Sequence, residues 1–235
     1  MIILKKLQKS VISILFLFSI FCFDLNSQQN DNNQDSDNTS QDNQNSKQDE
    51  DKDGYILWKE RKYEQSIAKL KEEIVAFPQR IDIYVIMGWD YLALRQYSNA
   101  LDISKKGLAI SPNDSRLHLN LGETYFNLRQ YNPSVYHLQK YLAANPQSYK
   151  KAYIYFLMGL AYYRLKHYHL ADISLSTAIY YKPNSARYIT QLGLIKEKLN
   201  ENKKALTFFE KALILNPGNL DALNGKKRVE NITIQ

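Results

Sequence analysis

Two residue types in this chain keep the same spacing. Leaving Pro133 aside, prolines stand at 78, 112, 146, 183 and 217, with gaps of 34, 34, 37 and 34. Glycines at 54, 88, 122, 159 and 193 keep the same gaps. Proline cannot continue a helix, because its ring clashes with the preceding turn and it has no N–H to donate. Glycine inside a helix costs about 1 kcal/mol relative to alanine. Two residue types that disfavour helix, repeated at one interval, describe a chain made from one supersecondary unit used several times.

Other positions obey the same period. Tyr91, Tyr125 and Tyr162 lie three residues after a glycine, and Tyr63, Tyr97, Tyr131 and Tyr168 lie nine after. Twelve after stand small residues, Ser66, Ala100, Ser134, Ala171 and Ala205. Nineteen after come Gly107, Ala178 and Ala212, where Glu73 and Tyr141 depart from the pattern. Within each half-unit the apolar spacing is helical, as in LNLGETYFNLRQY over 119–131. Gly122 in the middle of that helix is explained if a second helix crosses close by, near Ser134. Each late proline then ends the second helix. Asn113-Asp114, Asn184-Ser185 and Gly218-Asn219 supply cap and turn chemistry for the next one.

The segments MGWDY (87–91), LGETY (121–125), MGLAY (158–162) and LGLIK (192–196), followed by YSNAL…ISP, YNPSV…ANP, YHLAD…YKP and NKKAL…LNP, resemble the tetratricopeptide repeat family. The resemblance covers about residues 54–235. It implies an all-α fold, a right-handed superhelical solenoid of stacked helix-turn-helix hairpins. Four full repeats are expected at 81–114, 115–148, 152–185 and 186–219, with a partial repeat at 54–80 and a capping helix at 220–235. The first helix of the partial unit should be short, Gly54 to Arg61. The last unit has Lys226 and Lys227 where Leu-Gly would fall, as suits a polar end cap. Tyr149-Lys150-Lys151 are extra and lengthen a helix or the loop before it. In the fourth repeat Lys196 and Asn202 replace the two tyrosines, and looser packing is expected there.

The first 53 residues read differently. Lys5, Lys6 and Lys9 precede a 13-residue apolar run, Val11 to Phe23. That is the shape of a secretory signal, and the run is short for a spanning helix of about 20 residues. Residues 1–27 are read as a signal peptide or membrane anchor of a bacterial type, with Ser27 as a weak cleavage position. Lipidation at Cys22 is a lesser alternative, because Phe21 stands where a lipoprotein signal wants a small residue. Residues 28–53 form an acidic Asn/Gln/Asp-rich linker with too little apolar content to form a core, so disorder is expected. The expected location is periplasmic, or tethered to the membrane by the N-terminal segment.

Charge follows the same division. Residues 24–53 hold nine acids and two lysines, and residues 54–235 hold 26 basic and 15 acidic residues. A basic body could serve anionic lipid or nucleic acid. A solvated lysine-rich surface is the simpler account, since no long basic run appears, and an export signal argues against nucleic acid. Cys22 is the only cysteine, so the body has no disulfide and no cysteine metal site.

No P-loop, GxSxG, HExxH or dinucleotide motif appears, so the chain reads as a non-enzyme with no cofactor and no metal. His118 takes a core position, and His167 and His169 do not share a helical face. Function is left to the surface. In the resembled family the first helices line a concave groove that holds partner segments, with positions two, five, nine, twelve and thirteen pointing inward. Here those positions give a binding set of Trp89, Leu92, Arg116, Glu123, Phe126, Asn127, Tyr153, Phe156, Tyr163 and Arg164. Trp, Tyr and Arg are common interface anchors. The alternative is that several of these side chains pack between repeats. The family's carboxylate clamp is not expected, since Val85, Trp89, Tyr153 and Leu157 occupy its places and only Asn120 fits. The expected role is a protein–protein interaction scaffold or assembly factor in the bacterial cell envelope. Its partner would be an apolar or aromatic segment of another protein. Anionic-lipid binding and self-association are the competing readings.

Overall fold

The computed structural model describes residues 53–233, which fold as eleven α-helices with no strand among them. They run as hairpins: α1 (Gly54–Lys59) with α2 (Tyr63–Ala76), α3 (Ile81–Ala93) with α4 (Tyr97–Ile110), α5 (Ser115–Asn127) with α6 (Tyr131–Ala144). Then come α7 (Lys151–Arg164) with α8 (Tyr168–Tyr181), α9 (Ala186–Lys198) with α10 (Asn202–Leu215), and α11 (Leu220–Thr233) alone. The signal-like segment with Cys22, and the linker up to residue 52, lie outside the described residues. No described helix is long and apolar enough to cross a membrane.

Each second helix stops two residues before its proline. The residue before proline is sterically pushed out of the helical region, so the ladder ends there. Asp114 then caps α5, accepting from the N–H groups of Arg116 and Leu117, and Ser185 caps α9 through Tyr188 N–H. Asn219 accepts from Ala222 N–H and donates to Thr190 Oγ1, linking the last helix to the fourth repeat.

The turn inside each hairpin follows one recipe. Arg61, Arg95, Arg129, Lys166 and Asn200 all adopt left-handed φ values between 57° and 63°. The next N–H then reaches five residues back, as from Gln96 to Tyr91 O at 2.8 Å and from Glu201 to Lys196 O at 2.9 Å. This satisfies carbonyls that a helix end would otherwise leave unpaired.

The glycines mark close approaches. A Cβ on Gly122 would stand 2.6 Å from Leu138 Cδ2 and 3.3 Å from the Leu138 backbone N. The second helix crosses here, as expected, near Ser134, and Leu138 one turn on is the side chain a Cβ would strike. Ser134 donates its hydroxyl to Gly122 O at 2.7 Å. At the C-terminal end the fully buried Phe209 ring sits between Gly193 and Gly225, within 2.7 Å of a Cβ placed on Gly193. The end helix thus carries its own close-approach glycine, two residues before the position the period assigns.

Of two expectations about irregular segments, one holds and one is overturned. Tyr149 and Lys150 lengthen the loop, while Lys151 extends α7 to fourteen residues, against thirteen in α3, α5 and α9. Packing around Lys196 is not loosened: the residue is 9% exposed, with Nζ 2.8 Å from Asp172 and 3.3 Å from Glu201.

Every first helix also touches the first helix of the next repeat, whereas second helices make no comparable contact with one another. The stack is therefore drawn in along its first helices, and that side is the concave one.

Candidate functional site

The concave face repeats with the chain. Position two of each first helix is exposed and mostly charged: Asp82, Arg116, Tyr153 and Arg187. Position thirteen, on the other rim, is exposed as well, with Ala93, Asn127, Arg164 and Lys198. Between them, positions nine and twelve are half-buried: Trp89, Leu92, Glu123, Phe126, Leu160, Tyr163, Leu194 and Glu197. These form a floor that is mainly apolar, set between two polar rims.

Position five behaves otherwise. Val85, Leu119, Phe156 and Thr190 are all between 1% and 3% exposed. Phe156, expected in the open strip, is core instead. Its ring stacks on Tyr188 at 4.3 Å and the Arg187 guanidinium sits 4.8 Å from its centroid. The period-five residue faces the next first helix, and the inward pitch of the stack closes over it. Asn120 is likewise inaccessible, at 1% exposure, with Nδ2 donating to Val85 O.

The remaining aromatics are held by neighbours. Trp89 packs on Trp58 at 4.9 Å, and Trp58 stacks on Tyr55 at 5.7 Å. Phe126 meets Tyr131 edge-on at 5.8 Å, and Tyr163 meets Tyr168 at the same separation. The tyrosine that opens each of these second helices thus braces a floor residue. That is the structural use of the period-nine tyrosine.

Two polar groups shape the floor. Arg116 reaches Asp82 across repeats and Asp114 at 2.8 Å, and these carboxylates raise its pKa, Asp114 first. Burial alone would raise Asp114, but the Arg116 guanidinium and the N–H groups of Arg116 and Leu117 hold it below the usual carboxylate range. Deeper in, burial raises the Glu123 carboxyl above the usual range, against Lys150 and a hydrogen bond with the Tyr153 hydroxyl. Burial, and then the Glu123 charge, raises Tyr153 in turn. Open space lies near both ends of the row. A cavity of about 370 Å³ is bounded by Asp53, Tyr55, Arg80, Asp82, Val85, Ile86, Trp89 and Arg116. Another of about 490 Å³ is bounded by Arg187, Thr190, Gln191, Asn216, Asn219 and Asp221.

The tetratricopeptide repeat family profile matches residues 152–185 and 186–219. Residues 152–219 carry two tetratricopeptide repeats. No curated protein matches the sequence. Among solved structures, MamA residues 41 to the end from Desulfovibrio magneticus RS-1 is 22% identical with a TM-score of 0.64, covering 71% of this chain and 93% of that one. Another MamA crystal structure is 21% identical at a TM-score of 0.63, covering 70% and 94%. A chain of the APC/C hetero-tetramer Cut9–Hcn1 is 23% identical at 0.63, covering 75% of this chain and 35% of that one. At these identities the likeness is one of fold. A tetratricopeptide solenoid with an open concave face is a protein–protein interaction scaffold.

The repeat pattern does not disclose two buried polar sites. His118 is in the core as expected, but its Nδ1 lies 2.9 Å from His137 Nδ1 and its Nε2 lies 3.2 Å from Pro112 O. Burial lowers both imidazoles, His137 to about 4. In the third helix Asp90 is wholly buried, with Oδ2 2.7 Å from Ser66 Oγ. No group of three or more His, Cys, Asp or Glu side chains among the described residues could hold a metal ion.

Proposed function

We propose that the concave face holds an extended segment of a partner protein, and that the chain works as an interaction scaffold in the cell envelope, tethered or exported through residues 1–27. The observation that carries the groove reading is the repeated floor-and-rim arrangement. Half-buried Trp89, Leu92, Phe126, Leu160 and Tyr163 offer apolar contacts, and Arg116, Tyr153, Asn127 and Arg164 on the rims offer polar ones. Aromatic and arginine side chains already held in place lose little freedom on binding. With Phe156 closed off, the partner segment is best matched by apolar side chains alternating with polar ones, the latter reaching Glu123 and the rim. The envelope assignment rests on the lysine-then-apolar pattern of the first 23 residues.

The test uses the full chain and a Phe126→Ala/Tyr163→Ala variant whose thermal transition is still cooperative. Both are presented to a solubilised envelope fraction. A protein retained by the first and lost from the second supports the groove. Equal retention moves binding to another face, and retention of no protein by either removes the envelope reading.

A further inference from the structure

The outer side of the third repeat departs from its neighbours. On α8, Leu170, Ile173 and Tyr180 fall at helical spacing on one stripe and are 45%, 63% and 80% exposed. The buried residues of the same helix, Ala171, Ser174, Leu175 and Ala178, lie on the opposite side. At the positions of Leu170 and Ile173 two other repeats are polar, with Asn99 and Asp102 on α4 and Lys204 and Thr207 on α10, whereas the Tyr180 position is also apolar and exposed at Val75 on α2 and Ile214 on α10. On α6, the second helix of the preceding repeat, Tyr136 is the residue equivalent to Ile173, and its ring is 53% exposed with Lys140 Nζ 5.6 Å from its centroid. The stretch of chain around α8 is poor in acids, although Arg164 and Arg187 within it belong to the concave rims. Residues 124–196 contain nine Lys and Arg and a single acid, Asp172, which is paired with Lys196.

We infer that the outer face of α8, with Tyr136 at the equivalent position of the preceding repeat, docks on a bilayer surface carrying anionic headgroups. A helix with an apolar stripe and cationic borders lies in a membrane interface, its stripe at the acyl boundary and its lysines among the headgroups. Tyrosine suits that depth, since its ring is apolar and its hydroxyl stays wet. Lys166 and Lys182, next to the two ends of α8, and Lys140, one turn after Tyr136 on α6, are exposed. Charge decides against a second copy of the chain, because a two-fold contact through this face would oppose two acid-poor cationic surfaces. The aliphatic Leu170 and Ile173 decide against nucleic acid, which gives them nothing to bury against. Docking through second helices leaves the groove of the first helices open, so this inference stands apart from the groove reading.

The experiment places an environment-sensitive fluorophore on the full chain carrying Cys22→Ser and either Ile173→Cys or Asp102→Cys, the latter at the matching position of another repeat. Thr177→Cys replaces Ile173→Cys if that variant loses helical content. Vesicles of phosphatidylglycerol with phosphatidylcholine are added, some with brominated acyl chains. The label at 173 should shift to the blue and be quenched by bromine, while the label at 102 stays in water. Because both chains carry the same N-terminal segment, the difference between positions reads the face itself. Lys140→Gln/Lys182→Gln should weaken this docking about 30-fold, at the usual gain per lysine near an anionic surface. Labels behaving alike would overturn the inference, and so would an equal shift on pure phosphatidylcholine. A shift at 173 without vesicles that grows with protein concentration would assign the face to self-association. A shift with polyuridylate alone would assign it to nucleic acid.

Discussion

Asp90 in α3 and Lys196 in α9 are both charged residue types on first helices, and both are buried, at 0% and 9% exposure. Their surroundings differ. Lys196 has Asp172 at 2.8 Å and Glu201 at 3.3 Å, so its charge is answered twice. Asp90 has only the Ser66 hydroxyl at 2.7 Å, and its Oδ1 has no partner among the described residues. The Ser66 hydroxyl also lies 2.7 Å from Gly54 O and has one proton to give. If Asp90 is ionised, one of those two acceptors goes without. If it is protonated, Asp90 donates to Ser66, Ser66 donates to Gly54 O, and the chain of bonds closes. Burial accordingly raises Asp90 to about 7, with Glu64 adding to the rise and the Ser66 bond opposing it. The solenoid keeps a buried charge where opposite charge comes with it, and keeps a proton where it does not.

The strongest way to break this comparison is to spoil the answered charge. Lys196→Glu sets a third carboxylate against Asp172 and Glu201. It should destabilise the fold by about 3 kcal/mol, less than a fully buried reversal because both partners are partly exposed. Urea unfolding at pH 7 measures it, and a loss below about 1 kcal/mol would show that the lysine is held by its stem alone.

The unanswered charge is read by pH. An acid whose folded pKa lies above its unfolded value keeps its proton longer in the folded state. Stability then falls as pH rises from about 4 to about 7 and is level beyond. His118 and His137, lowered by burial, slope the other way below pH 6.5, so the wild-type curve alone does not isolate Asp90. The difference from Asp90→Asn does, since the amide donates to Ser66 at every pH. The variant should be more stable than the wild type by about 2 kcal/mol at pH 8, with the gain vanishing near pH 4. A pH-independent difference would mean Asp90 is ionised throughout.

The same chain of bonds makes a local prediction of smaller size. Ser66→Ala removes the link from Asp90 to the first residue of α1. Amide exchange in Gly54–Lys59 should quicken several-fold at pH 6, with little change in α9, whose charge is satisfied by other means. Equal quickening in both helices would mean the loss is global.

These two sites also show how far the sequence reaches. The hairpins, their ends and their stacking follow from prolines, glycines and small residues that recur, so a period exposes them. Gly225 was hidden because it breaks the period by two residues, even though Phe209 needs it. The half-buried floor was legible in Trp89, Phe126 and Tyr163, because groove positions also recur. Phe156 was misplaced because its burial depends on the pitch between neighbouring repeats, which no single repeat encodes. Asp90, His118 and His137 occur once each. Their partners come from other helices, and only the folded stack brings these side chains together.

The smallest effect compares the turns beside the two charges. Arg95 follows the helix of Asp90, and Asn200 follows that of Lys196, both at left-handed φ, 57° and 59°. An arginine Cβ crowds the following carbonyl in that conformation, whereas asparagine tolerates it through its short polar side chain. Glycine would remove the crowding but adds freedom to the unfolded chain, so the two terms partly cancel. Arg95→Gly should therefore stabilise by about 0.5 kcal/mol and Asn200→Gly by close to nothing. Denaturation of the two variants side by side measures the difference. An equal gain would mean the arginine is not strained there. A loss in Arg95→Gly would mean that its side chain contributes packing that outweighs the backbone cost.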